Sequence, residues 1–208
     1  MEYISLITTV AFLNLLGAMS PGPDFVMCVR NSLNYSRSVG IFTGVGIGIG
    51  ISIHIIYCAA GIGFIVSKSI IAFNIIKFLG AGYLVYMGIR SIIAKGSKIE
   101  FNNERRMTDI SALQAVKTGF FTNILNPKAT MFFLGLFTFV IGYNTPGFVV
   151  AIIAIIMIMT AILWFTLVAV FFTQKRIKDT FLRFEKGINS VFGGLLILLG
   201  IRIALAQR

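Results

Sequence analysis

The sequence predicts an all-α integral membrane protein with six transmembrane helices, arranged as two inverted three-helix repeats with helix breaks in spans one and four. Composition is the first observation behind this prediction. Of the 208 residues, 57% are hydrophobic without counting glycine, and only 12% are charged. Soluble domains average ~45–50% apolar residues with glycine included and ~25% charged residues. Contiguous apolar surface on this scale would aggregate a soluble chain, so a soluble domain is excluded.

Six apolar runs are the second observation. A hydrocarbon core about 30 Å thick is crossed by about 20 residues of helix. The runs cover, to within a few residues, 4–29, 39–66, 70–94, 118–142, 147–173 and 188–206. The start of the chain lacks the basic segment of a cleaved signal peptide, so we expect the first run to remain as a span.

Two matches between the halves of the chain are the third observation. The segment GYLVYMGIR at 82–90 resembles GLLILLGIR at 194–202, and Ser20-Pro21 in span one corresponds to Asn126-Pro127 in span four. Halves of three spans each cross the membrane in opposite directions, and corresponding breaks in such halves indicate a transport site. We therefore expect one polytopic domain. It divides into repeat one (1–95), a cytoplasmic loop (96–112) and repeat two (113–208).

Lysine and arginine residues concentrate in alternate connectors. The connectors after spans one, three and five, with their flanks, hold thirteen of the 18 Lys and Arg residues. Cytoplasmic loops carry this excess in membrane proteins, so we expect these connectors in the cytoplasm and both termini outside. Nucleic-acid binding would require the basic residues on a folded polar surface with a recognition motif. The net charge of +11 is therefore attributed to basic cytoplasmic connectors and not to a nucleic-acid-binding surface.

Prolines interrupt both of the matching spans. They are Pro21 and Pro23 in the interruption at 20–24 and Pro127 in the interruption at 126–128. A proline cannot donate to the carbonyl four residues back. The carbonyls expected to be freed are those of Gly17, Met19 and Asn123. Free carbonyls persist in a membrane only inside protein or beside a wet cavity, where they can hold a cation or a zwitterion. The alternative is a pair of kinks that serve packing alone.

Each break also carries one charged residue, Asp24 in span one and Lys128 in span four. An ionisable group in a span costs at least ~2.5–3.5 kcal/mol at the bilayer centre and is a functional hypothesis by default. One acid and one base across a cavity suit a substrate with an ammonium and a carboxylate, and the acid can also exchange a proton. The alternatives are a structural Asp24–Lys128 pair or a helix cap at Asp24.

One histidine and three asparagines lie within the spans. Histidine ordinarily titrates near neutrality, so His54 could shuttle protons, although a neutral histidine hydrogen-bonded between helices is the favoured interpretation. Asn14, Asn123 and Asn126 either line a cavity or bridge helices.

The remaining motifs indicate packing. The glycine-rich run at 40–50 is expected to bring helices close together. Cys28 and Cys58 have no metal-ligand spacing and are expected to be buried thiols. No catalytic triad, metal cluster or nucleotide motif is found in the sequence, so no enzyme activity, metal or cofactor is predicted.

Four motifs together resemble those of a known transporter family. They are SPGPDF at 20–25, GAGYLVYMG at 80–88, NPKA at 126–129 and GIR at 200–202. The sequence is similar to the LysE/RhtB family of amino-acid exporters over essentially the whole chain. The resemblance implies proton-driven efflux of amino acids across the bacterial inner membrane. It implies functional roles for Pro21, Gly22, Pro23 and Asp24 in one half and for Asn126, Pro127 and Lys128 in the other.

We therefore predict a secondary transporter that exports amino acids from the cytoplasm by proton antiport with alternating access. Its binding set comprises the residues implied by the resemblance together with Asn123 and His54. Its partners are the amino acid, protons and membrane lipid, without nucleic acid, and a homo-oligomer is left open.

Three other functions are left open by the sequence. The same fold could export a metal cation or another small solute, although Asp24 and His54 alone are few ligands for a metal. A membrane thiol-redox enzyme would need cysteines that meet across the repeat, whereas Cys28 and Cys58 lie in the same half. A purely structural role would not explain why both helix breaks carry a charged residue.

Overall fold

The computed structural model describes residues 2–68, 70–93, 108–141, 145–172 and 174–205. Within these ranges the chain forms eight α-helices and no strand. They are α1 (Glu2–Met19), α2 (Pro23–Asn34), α3 (Arg37–Lys68), α4 (Ile70–Ile93), α5 (Ala112–Ile124), α6 (Pro127–Leu136), α7 (Gly147–Phe171) and α8 (Lys175–Leu205). Helix α6 continues into a π-helical turn, Phe137–Ile141. The predicted loop at 96–112 lies mostly outside the described residues.

Several of the described helices are long and apolar enough to cross a membrane. Three segments qualify singly: Arg37–Gly61, Gly147–Phe171 and Arg183–Leu205. Helices α1 and α2 together qualify as a fourth span, bent by 57° at the break between them. The chain is therefore an all-helical membrane protein as far as it is described, and the arrangement in six spans stays a prediction.

Both predicted breaks are present. Helix α1 ends at Met19, and α2 begins at Pro23 after extended backbone at Gly22. Helix α5 ends at Ile124, and α6 begins at Pro127. Proline is favoured at the first helical position because its missing N–H would have no helical partner there. Each break therefore ends one helix and begins another.

Two helices begin earlier than predicted. Helix α5 begins six residues before position 118, because Ser111 and Gln114 form a capping box in which each side chain bonds the other's backbone N–H. Helix α8 begins thirteen residues before position 188. Its first residues contain no proline and are rich in helix-favouring Lys, Arg and Glu, so the helix forms through this polar connector.

Glycines in α3 allow close approach of its neighbours, as predicted for the run at 40–50. A β-carbon at Gly44 would lie 2.8 Å from Cβ of Phe165 in α7, and one at Gly50 would lie 2.7 Å from Oδ1 of Asn123 in α5. A β-carbon at Gly46 would collide with the carbonyl group of Val116. Helix α3 is thereby packed against both α5 and α7.

Helices α4 and α8 meet through a reciprocal pair of glycine contacts. A β-carbon at Gly88 would lie 2.6 Å from the carbonyl oxygen of Gly193, and one at Gly200 would lie 2.8 Å from the carbonyl oxygen of Ala81. The backbones of the two helices are therefore in direct contact at two places.

Candidate functional site

The two helix breaks lie beside each other and border a cavity of about 50 Å³, which we call the Asp24 cavity. Its polar lining residues are Asn14, Ser20, Asp24, Asn123, Asn126 and Lys128. Its aromatic lining residues are Phe25, Phe132, Phe133, Phe165 and Phe192. The cavity therefore combines one acid, one base and amide groups with an apolar wall.

Asp24 lies in the first turn of α2 and reaches across to the second half of the chain. Its Oδ2 accepts hydrogen bonds from the side-chain amides of Asn123 and Asn126, at 2.9 and 3.0 Å. Its Oδ1 is buried and has no hydrogen-bond partner in the structure. The N-cap of α2 is Gly22, so the alternative role of Asp24 as a helix cap is wrong. The carboxylate therefore keeps one oxygen free for an N–H donor or a proton.

The Lys128 side chain crosses to the other break. Its Nζ donates to the backbone carbonyls of Ser20, at 2.9 Å, and Pro21, at 3.4 Å. The ammonium also lies 4.8 Å from the ring centroid of Phe192. The lysine thus binds carbonyls that lie just beyond the end of α1. The release of the Gly17 and Met19 carbonyls by Pro21 and Pro23 stays a prediction.

Asp24 and Lys128 do not form a direct ion pair. Each of these two described residues has other hydrogen-bond partners, so a structural pair held by a direct bond is not present. The alternative that the two charges serve the structure alone stays untested. Both nevertheless line the same cavity. An acid and a base are therefore presented to one space without neutralising each other by contact.

Asn126 serves both the helix break and the carboxylate. Its Oδ1 accepts the backbone N–H of Lys128 at 3.0 Å and caps α6, while its Nδ2 donates to Asp24. The carbonyl of Asn123, freed by Pro127 as predicted, accepts the N–H of Asn126 at 3.0 Å. The break thereby orients both amides that hold Asp24.

His54 is buried in α3, with 1% of its surface exposed. Its Nε2 lies 3.1 Å from the carbonyl oxygen of Asn123, and its Nδ1 lies 2.6 Å from the hydroxyl of Tyr57. A carbonyl only accepts, so the hydrogen is assigned to Nε2, and Nδ1 of a neutral ring accepts from the tyrosine. The ring is also stacked on Phe133, with centroids 5.2 Å apart. His54 is absent from the cavity lining and meets the site through two lining residues, Asn123 and Phe133.

Of the other predicted residues, some line the Asp24 cavity and others lie outside it. Asn14 lines the cavity and also donates to the carbonyl of Met157 in α7 at 3.1 Å, so it has both of its predicted roles. Pro23 and Pro127 are exposed and set the starts of their helices without lining the cavity. Cys28 and Cys58 are buried free thiols, as predicted.

A second cavity of about 290 Å³, the Arg90 cavity, adjoins the first. Its charged and polar lining includes Arg90 and Ser91 of α4 and Glu185 and Asn189 of α8. Ser91 donates to the carbonyl of Asn189 at 2.9 Å and joins the two helices. This cavity was not predicted, because its residues form no motif along the chain.

Comparison with known proteins places the chain among membrane translocators. The model of the family described as LysE type translocator matches residues 15–207. The chain is 29% identical over 195 residues to the uncharacterized membrane protein YrhP of Bacillus subtilis, covering 89% of this chain and 92% of that relative. It is 25% identical over 205 residues to the threonine efflux protein of Escherichia coli K12, covering 98% and 100% of the two chains. It is 27% identical over 193 residues to the homoserine/homoserine lactone efflux protein of Salmonella typhimurium, covering 91% of each. No solved structure matches significantly.

Proposed function

The chain belongs to the LysE type translocator family, and on this basis we propose that it exports amino acids across the bacterial inner membrane as a secondary transporter. Proteins of this family are transporters, not enzymes, and the chain is one of them. Two relatives that align with nearly its whole length are named for efflux of threonine and of homoserine. Amino-acid export is therefore the activity that these relatives support.

The observation that carries the proposal is the separate presentation of an acid and a base in the Asp24 cavity. A free amino acid at neutral pH has an ammonium and a carboxylate on the same carbon atom. Asp24 has a free oxygen, Oδ1, to accept from the ammonium. Lys128 can donate to the carboxylate, and such charge-assisted bonds are roughly twice as strong as neutral ones. Asn123 and Asn126 hold the acid in position.

We also propose proton antiport through Asp24. With an amino acid bound, the ammonium balances the carboxylate. After release, Asp24 has no ammonium in contact with its free oxygen, and a carboxylate without a contacting cation inside the membrane is costly. Uptake of a proton from outside neutralises Asp24, so the empty carrier returns with the proton and releases it into the cytoplasm.

We propose alternating access, in which the two halves rock as inverted repeats about the site and expose it first to one side and then to the other. An offset of 112 residues relates Gly88 to Gly200, and the same offset relates Ala81 to Gly193. The contact of Gly88 with Gly193 is therefore repeated, with the halves exchanged, by that of Gly200 with Ala81. This reciprocity supports a two-fold relation between halves of three spans each. Inverted repeats in transporters typically rock in this way about a fixed central site.

Efflux from cells tests the proposed function. Cells that overexpress the protein are loaded with mixed dipeptides, which their peptidases convert to amino acids, and the medium is analysed over time. We expect one or a few amino acids to appear outside. Asp24→Asn should lower their efflux about a hundredfold, since a transition-state or binding contribution of ~2.7 kcal/mol is lost. Asp109→Asn, an exposed acid before α5, is the matched control and should transport normally.

Protein levels in the membrane decide what a negative result means. If Asp24→Asn inserts at the wild-type level and exports amino acids normally, the site assignment is wrong. If the inserted wild type exports no amino acid, the activity must be sought in a metal cation or another small solute.

A further inference from the structure

We propose that Lys128 and Phe192 form a gate between the Arg90 cavity and the Asp24 cavity, and that the carboxylate of an incoming amino acid opens it. The inference deepens the proposed function and rests on it. It assigns a role to Phe192, which no sequence motif singled out, and a second role to Lys128.

The wall between the two cavities consists of few residues. Those that line both cavities are Ser20, Gly22, Lys128 and Phe192. Phe192 is 4% exposed, and its ring faces the Lys128 ammonium at 4.8 Å. Lys128 is half-buried, and a cation over an aromatic ring is attracted by the negative face of the ring. The lysine and the ring therefore form one closed contact between the cavities.

The lysine side chain is fastened across the break in the first half. Its ammonium binds the carbonyls of Ser20 and Pro21, and its aliphatic part lies against Gly22. A β-carbon at Gly22 would lie 3.3 Å from Cδ and 3.2 Å from Nζ of Lys128. The lysine side chain thus occupies space that a side chain at position 22 would narrow. Lys128 in α6 and Phe192 in α8 both belong to the second half, and the lysine connects them to the first half through its bonds to Ser20 and Pro21.

A substrate carboxylate can release this contact. The present partners of the ammonium are neutral carbonyls and an aromatic ring. A carboxylate that enters from the Arg90 cavity accepts a charge-assisted bond, which is roughly twice as strong. Lys128 then turns from Gly22 toward the substrate, and the two cavities join. A ligand without a carboxylate gives no such preference for the open state, and a ligand shifts an equilibrium only by its differential affinity.

Thiol accessibility tests the closed gate without any substrate. In a background with both native cysteines replaced by alanine, Ala18→Cys reports on the Asp24 cavity and Met87→Cys on the Arg90 cavity. Inside-out vesicles are treated with a membrane-impermeant methanethiosulfonate. We expect Ala18→Cys to react about tenfold more slowly than Met87→Cys, which corresponds to a closed state favoured by ~1.4 kcal/mol. Equal rates at the two reporters would overturn the gate.

Variants of Phe192 separate a gate from a packing role. Phe192→Leu keeps apolar bulk but loses the ring, and it should raise the reaction rate of Ala18→Cys severalfold. Phe192→Tyr keeps the ring and should preserve the slow rate. Met87→Cys should react equally in all backgrounds and serves as the folding control. If Phe192→Leu and Phe192→Tyr give the same slow rate, the role of the aromatic ring is refuted.

The opening step has its own test. L-threonine, or the amino acid that the efflux assay identifies in its place, is compared with the matching amino-acid amide in the same vesicles. We expect the amino acid to accelerate the reaction of Ala18→Cys and the amide to leave it unchanged. Equal effects of the two compounds, or no effect of either, would overturn opening by a carboxylate. The substrate-free experiment tests the gate whether or not the chain exports amino acids, so the two proposals fail separately.

Discussion

His54 in α3 donates its Nε2 hydrogen to the backbone carbonyl of Asn123, at 3.1 Å. This is the carbonyl that Pro127 deprives of its helical partner, and the side chain of the same asparagine holds Asp24. The histidine therefore positions the second helix break without reaching the cavity. Three elements, α3, α5 and α2, are connected through this one asparagine.

A positioning role for His54 predicts different outcomes for two substitutions. His54→Ala removes the bond to Asn123, worth ~0.5–1.5 kcal/mol net, and leaves a cavity beside Phe133. We expect it to lower both the unfolding temperature in detergent and the initial efflux rate. His54→Gln restores an N–H donor and should recover most of both. A proton-shuttle role would instead make the glutamine variant as inactive as alanine, with an altered dependence of efflux on external pH.

Substitutions at Asn126 should separate its cap from its bond to Asp24. Asn126→Ser keeps a capping oxygen for α6 but loses the amide donor, so we expect near-normal stability with strongly reduced efflux. Asn126→Ala loses both and should cost a further ~0.5–2 kcal/mol, the usual value of an N-cap. Thermal unfolding in detergent and efflux by the same preparations distinguish the two. Equal efflux by Asn126→Ser and wild type would remove Asn126 from the site.

The reciprocal glycine contacts predict paired effects on stability. Gly88→Ala and Gly200→Ala should destabilise the protein by similar amounts, because each added methyl group meets a backbone carbonyl of the facing helix. Gly82→Ala and Gly194→Ala, at corresponding positions with open space around them, are the matched controls. These controls should be neutral or stabilising, since alanine is favoured over glycine in a helix by up to ~1 kcal/mol. Unfolding temperatures test this, and a large loss at only one of the two packed positions would contradict the symmetric arrangement.

The predicted topology places Gly147, at the start of α7, outside and Asp109, before α5, in the cytoplasm. Both positions are exposed, and the native cysteines are buried. In intact cells an impermeant maleimide should therefore label Gly147→Cys and spare Asp109→Cys. Inside-out vesicles should give the reverse pattern. Labelling of both positions from the same side would refute the odd number of spans between them and, with it, the inverted halves.

The positions of the helix breaks could be predicted from the sequence because proline acts locally. A missing N–H affects the carbonyl four residues back whatever the rest of the fold, so the breaks at Pro23 and Pro127 follow from the chain alone. The start of α5 was not predicted, although Ser111 and Gln114 have the standard spacing of a capping box and could have indicated it. The start of α8 was not predicted because hydrophobicity marks only the apolar part of a helix. The polar residues before position 188 contain no proline, and they continue the same helix.

The partners of the charged groups could not be predicted in the same way. Lys128 has several acceptors within the length of its side chain, and the choice of Ser20 and Pro21 depends on how α6 packs beside the first break. Phe192 is one of twenty phenylalanines and carries no distinguishing pattern. Its place between two cavities arises from tertiary packing alone. The polar residues of the two helix breaks could thus be predicted from the sequence, whereas Phe192 beside them could not.

The contact between Gly22 and Lys128 has a consequence for how such a carrier can change its cargo. A β-carbon at position 22 would lie 3.2 Å from Nζ of the lysine and would shift it slightly, and Asn126 both caps α6 and donates to Asp24. The polar side of the cavity is thus constrained by the two helix breaks. The aromatic lining residues, which include Phe132 and Phe165, have no side-chain hydrogen-bonding group to preserve. New substrate preferences can therefore arise by substitution of aromatic lining residues, while Asp24 and Lys128 continue to bind the amino and carboxyl groups.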